Sequence, residues 1–251
     1  MFTLQDANRP LTKWCRRKVC SIRHRWATAG WWGLLATATF ANLIAAETTA
    51  TPADRLEAAH REAQRAYLAS ANQPALACRL ARLTFDLAET PIPTRRLEEL
   101  ALEGIAACQS ALAQHPDHPA AHYYLGMNLG QLARVRPLSA LRLVGKMRAA
   151  FEKARQLKEG FDHAGPDRNL GLLYREAPGW PASIGDRTRA RRHLRRAVEL
   201  DPEHPENRLN LAESGLLWKE PALVWPQVAA LEKLWPEARR RLTGSDWESA
   251  W

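Results

Sequence analysis

The sequence predicts an all-α protein: a right-handed α-solenoid of about four helix pairs with long insertions, preceded by a signal segment. Three observations predict it. After residue 54, Ala, Leu, Arg and Glu dominate and runs of β-branched residues are absent, which is the composition of helices rather than strands. Prolines fall between periodic apolar segments, where they close one helix and open the next. A Leu-Gly followed at a distance by small and then bulky apolar residues returns in successive segments, the mark of stacked repeats. The competing architecture is an irregular helical bundle.

The first 46 residues come first. "KWCRRKVCSIRHR" is basic and "WATAGWWGLLATATFANLIAA" is mostly apolar, with small residues and then polar "ETTATPADR" behind it. Basic, apolar, small is the order of a secretory leader. Cleavage after Ala46 has Ile44 three back, and cleavage after Ala50 has Thr48. The same run is long enough to remain as an anchor. In both cases the rest of the chain is expected outside the cytoplasm, in the periplasm or exported. Arg16-Arg17 fits a twin-arginine signal poorly, because Lys18, Val19 and Cys20 follow it.

The leader also explains the charge. Of the net +9, residues 1–46 carry +6, from Arg9, Lys13, Arg16, Arg17, Lys18, Arg23 and Arg25 against Asp6. The remainder carries +3, too little to argue for a nucleic-acid partner. The membrane is expected to be met only through an uncleaved leader.

Residues 47–54 read as a linker, 55–240 as the helical repeat domain and 241–251 as a tail packing on the last repeat. Helices are expected near 54–71, 75–89, 95–114, 118–135, 138–158, 166–176, 187–200, 205–218 and 222–234, with a short tail helix at 245–251 capped by Ser245. The third pair shows the repeat best: Leu170-Gly171 and Tyr174, then Ala190, Leu194, Ala197 and Pro202. Small residues suit the close helix crossing, large ones fill the opposite hole, and proline ends the second helix. The second has Leu125-Gly126, Leu129, Met147, Phe151 and Ala154, and the first has Gly104, Cys108, Ala111 and Pro116. The fourth, from "EHPENRLNLAE", is weaker. "ALAQHPDHPAA" and "AVELDPEHPEN" are two copies of one inter-repeat turn.

This spaced series resembles the tetratricopeptide repeat. "HYYLGMNLGQLAR", "AGPDRNLGLLYREAPGWP" and "PENRLNLAES" further resemble exported bacterial tetratricopeptide proteins, and are similar to the T-component proteins of TRAP-type solute transport systems over roughly residues 75–235. The resemblance implies a periplasmic, non-enzymatic protein that needs no cofactor. It would bind a protein partner such as a solute-binding protein, or handle a small organic ligand. The alternative is an adaptor that grips an extended peptide or an envelope assembly partner.

In such an array the first helix of each pair lines the concave face. The candidate binding residues are therefore Tyr123, Tyr124, Met127 and Gln131 in the second unit, Arg168, Asn169, Leu172 and Arg175 in the third, and Asn207, Arg208 and Leu211 in the fourth. Aromatic, amide and cationic groups together suit an anionic or polar ligand with apolar parts. No residue spacing argues for catalysis, and no metal site is expected. His115 and His118 are the one close histidine pair, in a turn where solvated side chains are the rule. In "RTRARRHLRR" the arginines 187, 189, 191, 192, 195 and 196 spread around the helix and leave Ala190, Leu194, Ala197 and Val198 to face inward. The reading is a solvated face, with an anionic partner as the alternative.

Two further features need the fold to decide them. Tyr174 to Ala190 spans sixteen residues, against about nine in the standard unit. The excess is the loop "APGWPAS", in which Pro178 and Pro181 stiffen the chain around Trp180. That ring either folds back to plug the layer beneath or stands out as an anchor for a partner. Trp218, Trp225, Trp235, Trp247 and Trp251 near the end are expected to cover the last repeat. Cys78 and Cys108 lie equidistant from the turn at position 93. They are either a bridge between antiparallel helices or two buried thiols.

Overall fold

The structure, a computed structural model, describes residues 51–243. The predicted signal segment, residues 47–50 of the predicted linker and the tail from residue 244, with Ser245, Trp247 and Trp251, lie outside the described residues. Those described form an all-helical protein with nine α-helices in the predicted order: α1 (Pro52–Ala69), α2 (Pro74–Ala88), α3 (Thr94–Gln114), α4 (Pro119–Val135), α5 (Ala140–Leu157), α6 (Phe161–Glu176), α7 (Arg187–Leu200), α8 (Pro205–Leu217) and α9 (Pro221–Arg241). None of them is long and apolar enough to cross a membrane.

Local chemistry sets the ends. Pro52, Pro74, Pro119, Pro205 and Pro221 stand in the first turns of their helices, where the missing N–H is not needed. Thr51 closes a capping box with Asp54, and the Asp186 carboxylate accepts from the Arg189 N–H at 2.9 Å, each satisfying orphan donors. α6 starts irregularly. Asp162, His163 and Ala164 have φ of 49°, 56° and 61°, and the regular helix follows from Gly165 and Pro166, as the sequence predicts. α9 is longer than predicted and runs through Pro226 and Pro236. The carbonyls these prolines leave unpartnered belong to Ala222 and Glu232. Both residues are exposed, so solvent reaches the freed groups and the helix continues.

Packing follows chain order. Each helix packs on the next, and α2 also touches α4, α4 touches α6, and α6 touches α8. The odd-numbered helices make no comparable series. The largest core cluster lies where α4, α5 and α6 meet, around Leu129, Met147, Phe151, Leu170 and Tyr174.

The glycines of Leu125-Gly126 and Leu170-Gly171 mark close helix crossings. A Cβ on Gly126 would lie 2.6 Å from the Phe151 ring, and one on Gly171 would lie 2.6 Å from Leu194 Cγ. Those pairs are the ones the repeat pattern joins. Gly126→Ala gains up to about 1 kcal/mol of helix propensity but must move a fully buried ring, at a cost of about 1–3 kcal/mol. A net loss of about 1–2 kcal/mol is expected in urea unfolding. A stabilised variant would show that the crossing is loose.

Candidate functional site

The structure moves most of the predicted concave-face residues into the packing between helices. Tyr123, Gln131, Arg168, Asn169, Asn207 and Leu211 are buried. Tyr123 donates to Asp162 Oδ2 at 2.7 Å and receives a bond from Asn169 Nδ2 at 3.1 Å. Burial and the neighbouring Asp162 charge push its phenol well above the ordinary range. Arg168 Nη1 donates to the His163 carbonyl and to Asn207 Oδ1, both at 3.0 Å, and its guanidinium lies near Asp162 and Glu206. Gln131 is held between Glu89 and Arg134. Leu211 packs with Leu194 and Leu223.

The remaining five are half-buried. Tyr124 and Met127 lean on the large core cluster, and Leu172 leans on the one around Leu194. Arg175 Nη1 donates to Ser214 Oγ at 2.8 Å, and Arg208 Nε to the Pro202 carbonyl at 2.7 Å. The physical reason is the stacking of α4, α6 and α8. Residues beside each Leu-Gly face the next helix of that stack, so polar side chains there bond from one helix pair to the next.

Trp180 is the opposite case. It is 88% exposed, so the plug is excluded. The apolar contact beneath the loop is made by Ile184, which packs against the large core cluster. The loop is held tightly. Gly185 N–H donates to the Pro178 carbonyl at 2.8 Å, Asp186 N–H to the Tyr174 carbonyl at 3.0 Å, and the Ala182 and Ser183 N–H groups to the Gly179 carbonyl. A Cβ on Gly185 would lie 2.1 Å from the Ala177 carbonyl oxygen. The loop therefore closes on itself and presents the ring outward.

The basic run on α7 is largely neutralised inside the molecule. Arg187 and Arg191 lie 5.4 and 5.5 Å from the centroid of the Trp218 ring, and both pair with Glu220. Arg189 pairs with Asp186 and Arg196 with Glu159. Arg192 and Arg195 are exposed. His193, which the inward-facing set missed, is buried and bonds Asp167 Oδ1 at 2.7 Å. Trp218 is covered by this arginine pair, whereas Trp225 and Trp235 are 67% and 43% exposed, so they do not bury the end of the array among the described residues.

Cys78 and Cys108 are both buried free thiols, the second of the two sequence alternatives. Burial raises both thiols, Cys78 to about 11, which keeps them protonated and unreactive at neutral pH. His118 caps α4: its Nδ1 accepts from the Ala121 N–H at 3.3 Å and lies 3.7 Å from Cys78 Sγ. Burial lowers its basicity further, in keeping with an acceptor role.

Two features lay beyond sequence reasoning. An open groove of about 630 Å³ runs between α3 and α5 over α4. Leu125, Leu129 and Leu143 are among its lining residues, as are Arg136, Arg142 and Lys146. The second feature joins the turns before α6 and α8: His163, Asp201 and His204 place one ligand atom each within 4.8 Å of one another. The 38-residue separation of His163 and Asp201 hides this from a reading of local spacing, although Asp201 and His204 share the repeated turn. Among known proteins, no family profile matches the chain, and no curated protein matches it closely enough to count as a relative.

Proposed function

We propose that the chain is an exported docking protein, a right-handed tetratricopeptide-type α-solenoid that engages a protein partner through Trp180 without catalysing a reaction. The single observation that carries this reading is an 88% exposed tryptophan on a loop fixed by its own backbone bonds and by Ile184. Such a ring is prepaid in entropy and supplies a large apolar contact, the character of an interface hot spot. The stacking of α2, α4, α6 and α8 supports the repeat architecture. The resemblance in the third repeat favours a periplasmic solute-binding protein as the partner, in the manner of a TRAP T-component. An extended peptide along the stacked helices is disfavoured, because Tyr123, Gln131, Arg168 and Asn207 are buried there.

Replacing Trp180 with a photo-cross-linking aromatic residue in the native host is expected to give one discrete protein adduct. The same probe at Leu138, fully exposed, serves as the control. Trp180→Ala is expected to unfold within about 0.5 kcal/mol of the parent, as exposed substitutions do, while retaining at least about tenfold less of the cross-linked partner. Identical adducts from both positions, or full retention by Trp180→Ala, would remove the ring as the anchor. A solute-binding protein in the adduct supports the T-component-like role, and an envelope assembly factor supports the adaptor.

A further inference from the structure

The turns before α6 and before α8 lie side by side. His163 comes from the first, Asp201 and His204 from the second. His163 Nδ1 and Asp201 Oδ2 are 2.7 Å apart, and the two imidazole rings are stacked 4.3 Å apart at 4°. The arrangement is built from beneath. Asn207 Nδ2 donates to the His163 and Asp201 carbonyls, both at 3.1 Å, and Arg168 holds the His163 carbonyl from the other side. His163 reaches this position through three successive left-handed residues, a conformation that costs free energy at each non-glycine residue and persists only where the surroundings enforce it. Asp201 Oδ1 also accepts from the His204 N–H at 3.1 Å, which fixes the carboxylate.

We propose that His163, Asp201 and His204 form a binding site for one borderline-soft divalent cation of the zinc class. Two imidazoles and a carboxylate are the ligand types zinc takes, with ligand bonds of about 2.0–2.2 Å. Tetrahedral ligation at that length needs ligand atoms about 3.3 Å apart, so the present 2.7 Å contact opens slightly and the wider spacing to His204 closes. Parallel rings cannot both aim an in-plane lone pair at one ion. His163, whose side chain is 53% exposed, therefore turns out of the stack. The metal takes the place of the proton between His163 Nδ1 and Asp201 Oδ2; from a neutral ring that proton moves to Nε2, and from an imidazolium it leaves to solvent. Glu206 Oε2 lies 3.7 Å from both Arg168 Nε and His204 Nε2, and water takes the fourth position on the open side. The inference is independent of the docking role of Trp180.

The full chain, purified without a polyhistidine tag, is titrated with Co²⁺ by visible absorption and with Zn²⁺ by calorimetry. The expected result is one ion per chain, tetrahedral Co²⁺ absorption, and binding that weakens in acid, because protons compete with the metal for the ligand atoms. His163→Asn is the fold-safe variant, since the side chain is half exposed and asparagine tolerates left-handed backbone. It is expected to weaken binding at least about tenfold and to abolish the rise in melting temperature that Zn²⁺ gives the parent. Unchanged affinity in His163→Asn would overturn the proposal. So would loss of binding in His115→Gln instead, or a thiolate charge-transfer band, either of which would put the ion elsewhere.

Discussion

Tyr123→Ala is expected to lower unfolding stability by about 3–5 kcal/mol, the range for deleting a buried large aromatic. Tyr123 is 1% exposed, and its ring packs at 5.3 Å on Phe161, 5.3 Å on Tyr124 and 6.0 Å on Phe151. The site cannot easily collapse, because the Gly165 backbone already closes against it: a Cβ there would lie 2.5 Å from the phenol oxygen. Tyr123→Phe keeps the ring but removes both the bond to Asp162 and the one received from Asn169, so its expected cost is about 1–3 kcal/mol. Urea unfolding followed by circular dichroism measures both. A Tyr123→Ala variant of parental stability that had lost partner binding would return this residue to the ligand-contacting role expected from its place beside the Leu-Gly.

Asp167→Ala is the second large effect. Asp167 is fully buried, accepts from Arg155 Nε at 3.0 Å, and meets His193 Nδ1 at 2.7 Å, while His193 stacks on Tyr174. Removing one member of a buried charged network costs about 3–5 kcal/mol where it leaves a partner buried without compensation. The low end, about 3 kcal/mol, is expected here. Arg155 is partly exposed and already lies 3.7 Å from Glu159, so it has another carboxylate to turn to. His193 has no such freedom. Combining Asp167→Ala with His193→Phe is therefore expected to recover part of the loss in a double-mutant cycle. Equal losses in the single and double variants would place the cost on Arg155.

The helices were legible because their signals are local. Proline in the first turn, a cap such as Asp186 and the Leu-Gly periodicity each act within a few residues, so sixteen of the eighteen helix ends lie within two residues of expectation, the start of α6 and the end of α9 excepted. α9 departed from expectation where solvent decided: Pro226 and Pro236 break a buried helix but not one whose freed carbonyls are exposed. The site was less legible. Whether Gln131 or Arg168 faces a groove or the next repeat depends on which helices stack, and nothing at those positions in the sequence states it. Trp180 shows the same limit from the other side. Two prolines announce a stiff loop, but only the fold reveals that Ile184 fills the layer and leaves the indole outside. The partnership of His163 with Asp201 is a contact between turns of different pairs, invisible to any pattern with a period of one helix.

The chain-order packing of these helices also governs how the molecule forms. Because the described helices pack mainly on their next and next-but-one neighbours, few contacts require distant segments to find each other, and loop-closure entropy is small at every step. Contacts between helices close in sequence favour local assembly first. For a polypeptide that emerges N-terminus first from a ribosome or a translocation channel, α1 to α5 can assemble before α9 has appeared. The incomplete array meanwhile ends on whichever helix is last, with its apolar stripe uncovered. The slow and hazardous moment is the wait for the next helix.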